Sequence, residues 1–379
     1  MTSLYEVFVY DDDLVSYGIL QGFEYLEFSQ RVSSPWNHNI RFKTNNSSAL
    51  ASFFRGADGM IDWPIFIYRT DPVSDLRHLV YEGLNRTVVD QLDLEGNSIF
   101  NLYGVGFTEL LQRRIILPPV GEEHLTFTGK AETVIKDFVD SQCVNPYDPT
   151  RVIPGLSIEV DTQQGSDVVY SGRYTILNTA VTRCAVDGGL DFGIVGGNPD
   201  TVLPVGEFEL QVRPLWGIDR SISNTDGNEA TILDNTLGTM SIPIYSVNSS
   251  GEKNFVYVGG QGQGVNRDIV PVSDATAIAT SPWNRREDFS DARMEETVVG
   301  LTLHGQNLLY NNKTTRNLTF NVTQSKSCRW GTEWNLGDIV TSKYFTIQYD
   351  QKIVQITARI SALGNTPTEF ISVEFEQQT

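Results

Sequence analysis

The stretch Tyr257-Val258-Gly259-Gly260-Gln261-Gly262-Gln263-Gly264, with Arg285-Arg286-Glu287-Asp288-Phe289-Ser290-Asp291-Ala292-Arg293 beyond it, decides how this chain reads. Its apolar start running into glycines predicts a short strand and a tight turn, and the charged run predicts the opening of a long helix over about 286–311. That helix would carry Met294, Val298, Leu301, Leu308 and Leu309 on one stripe, weakened by Gly300 and Gly305. The signs of the charged run alternate, so Arg286 can pair with Glu287 or Asp288, and Arg293 with Asp291. A local charge network therefore reads better than an anion site. Trp283 and Phe289 suit an anchor buried in the core or between subunits.

The glycines have G-x-G spacing after a strand, which raises nucleotide binding. A dinucleotide fingerprint needs a helix N-terminus directly behind its glycines, whereas Val265-Asn266-Arg267-Asp268-Ile269-Val270-Pro271 reads as a loop entering another strand. No Gly-Lys-Ser/Thr is present for a P-loop, so the run reads as a turn.

Outward from this segment, strands are predicted at 240–247, 254–258 and 269–272, and after Asn311-Asn312 at 318–322, 338–340, 344–349, 352–360 and 369–375. The turns Gly337-Asp338 and Asp350-Gln351 would join neighbours as hairpins. Upstream, Ala131, Val134, Ile135, Phe138 and Val139 lie on one face of an amphipathic helix, with Lys130, Glu132, Lys136, Asp137 and Asp140 opposite and Asn145-Pro146 ending it. Strands around 157–161, 168–174, 190–195 and 208–212 complete an α+β unit over 128–230. Residues 1–127 alternate aromatic and β-branched with polar side chains at 6–10, 23–28 and 65–68, and a short helix covers 108–114 before Pro118-Pro119. The class is α+β, β-dominated, with segments 1–127, 128–230 and 231–379.

The 379 residues are 40% hydrophobic, 11% aromatic and 20% charged, and no apolar run is long enough to span a bilayer, so the chain reads as soluble with no stable membrane association. The start lacks a basic and an apolar signal region, and Cys143, Cys184 and Cys328 are too few and too scattered for a disulfide framework or a zinc site. A reducing compartment is expected. Asn-x-Ser/Thr triplets at Asn46, Asn85, Asn248, Asn312, Asn317 and Asn321 then read as accidents of composition. The net charge of −19, from 47 acidic against 28 basic residues, excludes binding nucleic acid through phosphate neutralisation. It fits either plain solubility or a passage that DNA crosses without sticking.

No catalytic, cofactor or metal residue emerges. His38, His78, His124 and His304 stand apart, with no second histidine at metal-ligand spacing. Acidic residues abound, but neither G-x-S-x-G, H-E-x-x-H, Asp-Thr-Gly nor Asp-Ser-Gly occurs. Trp36, Trp63, Trp216, Trp283, Trp330 and Trp334 leave one other class open, a carbohydrate-binding or carbohydrate-cleaving β protein, though core packing explains tryptophans as well.

Taken in order, Tyr257-Val258-Gly259-Gly260-Gln261-Gly262, Arg285-Arg286-Glu287-Asp288-Phe289 with Asp291-Ala292-Arg293, Leu110-Leu111-Gln112-Arg113-Arg114-Ile115-Ile116 leading to prolines, the helix around Val134 to Val139, and Leu336-Gly337-Asp338-Ile339-Val340 make the chain resemble tail-hub proteins of siphophages infecting Gram-positive hosts. The resemblance implies the phage baseplate-hub architecture: tail-tube-like β-barrels over 1–127 and 231–379, and an α/β accessory domain between them. It implies a non-enzymatic homotrimer in the virion, assembled in the host cytoplasm, whose six barrels match a six-fold tube. Implied partners are a distal tail or tail tube protein, the tape-measure protein and a tail fibre or spike, with DNA only in transit. The glycine loop and the Arg285–Arg293 run would lie near subunit contacts. With the chain stopping soon after Phe375, receptor binding or wall degradation is expected from another protein.

Overall fold

The computed structural model describes residues 4–45, 47–56, 60–293, 297–325, 328–362 and 368–376. Met294 and Asn46 lie outside them. The chain forms two compact units, one from residues 1–241 with 321–375, the other from 242–320.

The larger unit starts with β1 (Tyr5–Tyr10), β2 (Ser16–Leu20), β3 (Phe23–Arg31), β4 (Asn37–Thr44), a short α1 (Ala49–Gly56), β5 (Pro64–Thr70), β6 (Arg77–Leu92) and β7 (Ser98–Gly106). β1 alternates buried Tyr5, Val7 and Val9 with half-buried partners, as the period-two pattern requires. A 3-10 helix, Phe107–Arg113, buries Leu110 and Leu111 at the place the sequence pattern expects a short helix.

The middle segment holds β8 (Leu125–Lys130), α2 (Ala131–Val139), β9 (Leu156–Ile158), β10 (Asp167–Gly172), α3 (Leu177–Gly188), β11 (Asp191–Gly196) and β12 (Phe208–Arg213). The predicted apolar face of α2 is fully buried. Its polar face needs correction, because Glu132 and Lys136 are buried too. Glu132 accepts from Thr162 N at 3.1 Å and Gln164 N at 2.7 Å, and Lys136 Nζ reaches Glu132 at 2.6 Å and Val160 O at 2.9 Å. The pair thus pins the loop that covers it, and its polar atoms are satisfied by backbone rather than water. Asn145 ends the helix after a π-helical turn, Asp140–Val144.

The chain then forms β13 (Asp219–Arg220) and β14 (Ile232–Asp234), and leaves this unit along β15 (Met240–Asn248). The smaller unit contains β16 (Phe255–Gly259), β17 (Ile269–Ser273), a one-turn α4 (Ala275–Ile278), β18 (Glu287–Asp291) and α5 (Val298–Asn311). β19 (Thr315–Val322) leads back, and β20 (Ile339–Tyr344), β21 (Ile347–Ser361) and β22 (Thr368–Phe375) end the larger unit.

The helix expected from 286 begins only at Val298, capped by the Thr297 side chain on Gly300 N, and Glu287–Asp291 is a strand. The physical reason lies in the side-chain period: Glu287, Phe289 and Asp291 are exposed while Asp288 and Ser290 are half-buried, an alternation that only an extended chain gives. Parallel pairing to β16 decides it.

Neither predicted C-terminal turn joins neighbouring strands as a hairpin. Asp350 and Gln351 sit inside β21, opposite Thr341 and Val340. Asp350 accepts from the hydroxyls of Thr341 and Ser223, so it has no need of its own backbone. The reversal falls instead at Phe345, with φ of 54°. Gly337 does turn, with φ of 84°, but it leads into β20 rather than joining two neighbours. Asp338 there is buried and accepts from Ile218 N and Asn335 N, both at 2.8 Å, and from Arg220. This seats β13, like β14, parallel to β20.

Long-range pairing builds the larger unit's main sheet. Its strands run in the order β22-β21-β3-β4-β7-β6-β5-β1-β2. β21 lies antiparallel to β3, from Gln355 against Arg31 to Ser361 against Tyr25, so the two ends of the chain share one sheet. A buried ionic knot fastens the same ends. Arg69, 2% exposed, donates to Glu369 at 2.7 and 3.0 Å, Tyr5 OH donates to Glu369 at 2.5 Å, and Gln324 Nε2 donates to it at 2.9 Å. The Arg69 guanidinium lies 5.6 Å over the Trp330 ring.

Candidate functional site

The smaller unit places the segment that dominated the sequence on an open sheet face. Its three strands run β17-β16-β18. Alternation sends Val256, Val258 and Val272 to one side, where they pack with Ala292, Leu301 and Leu309. Each such aliphatic side chain contributes about 1.5–3 kcal/mol by leaving water. Gly305 lets α5 approach, since a Cβ there would lie 2.6 Å from Val272 Cγ2.

The other side of the sheet is bare. In register across it stand Ser273, Phe255 and Glu287, then Pro271, Tyr257 and Phe289, then Ile269, Gly259 and Asp291. The Phe255 and Tyr257 rings are 4.9 Å apart. Arg285 stacks 3.8 Å above Phe255 and pairs with Glu287 at 2.7 Å. That carboxylate raises the Arg285 pKa, fixing the guanidinium in its charged form. At the far end Arg267 lies 5.3 Å over Phe289 and pairs with Asp291 at 2.5 Å.

The glycine run serves this face. A Cβ at Gly259 would lie 2.7 Å from the Arg267 guanidinium and 2.8 Å from Phe289, so only glycine leaves room for arginine to cross the strand end. Arg267 also donates to Gly259 O at 2.9 Å and Gly260 O at 3.1 Å, which spends its donors on protein carbonyls rather than on a phosphate. The loop after α4 is equally fixed. Asn254, 1% exposed, receives Arg286 N at 2.7 Å and donates to Asn284 O, while Asp274 caps α4 through Ala277 N at 2.9 Å. This loop holds Trp283 87% exposed, with Phe289 53% exposed on the sheet. Aromatic and arginine side chains held out on a rigid base are the composition of binding hot spots.

Of the pairs read from the charged run, Arg293 does meet Asp291, at 3.2 Å, whereas Arg286 turns to Ser249 O. Arg267 was the residue sequence reasoning passed over. Its only signal is a lone arginine between a glycine turn and a strand.

Several of the other sequence candidates serve packing. Trp63, Trp330 and Trp334 are buried, and Asn85, fully buried, donates to Met60 O. Burial pushes the Cys143 thiol up to about 12 and those of Cys184 and Cys328 to about 11, so they are poor nucleophiles. His38 is buried against the Tyr81 hydroxyl at 3.0 Å, and burial lowers its pKa to about 4. His304 Nε2 meets Ser290 Oγ at 2.8 Å. Burial raises the Glu82 carboxyl to about 8, and it accepts from Gly196 N at 3.2 Å. Among the described residues, no three His, Cys, Asp or Glu side chains gather as a metal site, and no helix is long and apolar enough to cross a membrane.

Comparison with known proteins places the chain among phage tail proteins. The profile of the family described as siphovirus ReqiPepy6 Gp37-like protein matches residues 6–369. No curated protein sequence matches the chain. Among solved structures, the chain is similar to the 43 kDa tail protein of prophage MuSo2 from Shewanella oneidensis, with a TM-score of 0.60, 12% identity and 98% of both chains covered. It is similar to a tail protein from Neisseria meningitidis MC58, with a TM-score of 0.54, 12% identity and 98% and 97% covered. It is also similar to prophage tail protein gp18 from Listeria monocytogenes EGD-e, with a TM-score of 0.52, 13% identity and 97% and 94% covered. The fold is therefore that of phage tail proteins.

Proposed function

The chain belongs to the siphovirus Gp37-like protein family, and from that membership we propose that it is a homotrimeric hub at the distal end of a phage tail. As a tail-family protein it is a structural component of the virion. The hub joins the tail tube or distal tail protein to the tip or fibres, holds the end of the tape-measure protein, and encloses the channel through which DNA leaves. Residues 1–127 and 231–379 each contribute a tube-type β-barrel, braced by 128–230. Three copies then present six such layers to a six-fold tube. The pairing of β21 with β3 supports this reading, because it ties both β-rich ends of one copy into a common wall. A net charge of −19 suits a channel that must not retain DNA. The role is mechanical rather than enzymatic.

The observation that carries the assembly reading is the bare Tyr257–Phe289 row with its two stacked arginines, together with the exposed Trp283. Such a surface is covered by another chain in a working particle. Light scattering of the purified protein should give three times 42.3 kDa, and the double variant Trp283→Ala, Phe289→Ala should shift it to single copies. A wild-type chain that stays single at high concentration would overturn the proposal.

A further inference from the structure

The larger unit carries a groove of about 1030 Å3 that plays no part in the hub reading. It lies among the 117–125 loop, the turn that follows α2, and the Tyr147–Arg151 and Arg173–Tyr174 segments. Its floor is built. The π-helical turn Asp140–Val144 places Ser141 and Gln142 beneath it, and turns of this kind recur at functional sites. Gln142 is 2% exposed, its Oε1 accepting from Leu117 N at 2.9 Å and Arg151 Nη1 at 2.8 Å, which locks one wall to the other. Asp148 accepts from Thr150 N at 3.0 Å and its hydroxyl at 2.7 Å, fixing the turn that carries Tyr147.

Two aromatic rings are held open on this base, Tyr147 80% and Tyr174 58% exposed, with the Arg173 guanidinium 5.0 Å over the Tyr174 ring. The charged groups of the lining balance, Arg151 and Arg173 against Glu122 and Asp148, unlike the chain as a whole. A polyanion gains nothing from such a groove and neither does a polycation. What remains is a neutral ligand with flat apolar faces and many hydroxyl or amide groups. The wall of Pro119, Val120 and Leu125 adds a strip of aliphatic surface that a plain sugar ring would leave empty and a methyl group would fill.

We propose that this groove binds an oligosaccharide of N-acetylated hexosamines. Sugar C–H faces lie on Tyr147, acetamido methyl groups lie against Val120 and Leu125, and hydroxyl and amide groups meet Arg173 and Asn145. The proposal does not depend on the trimeric hub.

Saturation-transfer NMR of the full chain with chitotriose as probe tests it. Transfer to the acetamido methyl protons is expected, and Tyr147→Ala, at an exposed position, should weaken binding by about fivefold, the loss of one aromatic contact. Arg173→Ala should weaken it less, and maltotriose, which lacks the acetamido group, should bind more weakly than chitotriose. The Trp283→Ala, Phe289→Ala variant should bind as the unaltered chain does, which separates failure here from failure of the hub reading. Absence of transfer from chitotriose, or equal transfer in Tyr147→Ala, would overturn the assignment. So would displacement of chitotriose by an acidic decapeptide, which would mark the groove as a protein contact.

Discussion

The two compact units differ in how far along the chain their contacts reach. The smaller one draws its core from residues within 256–309, a sheet and the helix that follows it. The larger one is assembled from both ends of the chain, with β21 laid on β3 and Glu369 set against Tyr5 and Arg69. Contacts so distant in sequence cost more chain entropy to close, so they need strong, directional fastening. The ionic knot contributes to it between the chain ends, whereas the ion pairs of the smaller unit, such as Arg267 with Asp291, join segments of one stretch and lie beside its exposed sheet face.

The sharpest way to break this contrast is Glu369→Ala. It strands Arg69, only 2% exposed, without its carboxylate, and should cost the larger unit about 3–5 kcal/mol. Denaturant unfolding followed by hydrogen exchange should show protection falling in β3 and β21 but not in α5. Equal loss in both units would mean that the division is not energetic.

Leu301→Ala is the converse probe. Leu301 is 2% exposed beneath the glycine turn, and the cavity left behind should cost about 3 kcal/mol, confined to β16, β17 and α5. Exchange rates in the larger unit should not change.

A smaller effect comes from pH and belongs to the larger unit. Glu82 holds its proton in the folded chain up to about 8 against 4.5 unfolded, so its contribution falls as pH rises through that window. His38 stays neutral when folded down to about 4 against 6.5 unfolded, so its contribution is lost as pH falls from 6.5. Between 4.5 and 6.5 the two slopes oppose each other. Above 6.5 only Glu82 acts, and stability should fall by about 2 kcal/mol by pH 8. Glu82→Gln should abolish that decline in thermal melts. A decline that survives the substitution would assign it to other groups.

The contrast also explains what could be read from residues in advance. α2, the 3-10 turn at Phe107–Arg113 and most strands announce themselves through periodicity, a property of neighbours in sequence. α3 was legible but passed over: Leu177, Ala180, Val181, Cys184 and Ala185 have helical spacing, and Gly189 closes it with φ of 68°. Glu287–Asp291 was misread because a charged alternation suits a helix surface and an exposed strand equally, and its partner β16 lies far back in the chain. The candidate face was half visible. Trp283, Phe289 and the glycines stood out, but Arg267 became part of it only when the turn folded it over Phe289.

Local pattern therefore settled the β-dominated class and the amphipathic helix, because each depends on side-chain period along one strand or helix, and the ordered set of motifs along the chain carried the resemblance to the tail proteins. Tertiary structure alone decided that the two ends share a sheet, that Glu132 and Lys136 go inside, and which face of the small sheet stays bare. Those outcomes depend on which distant segment arrives to cover a surface or complete a hydrogen bond, and no short window of residues contains that partner.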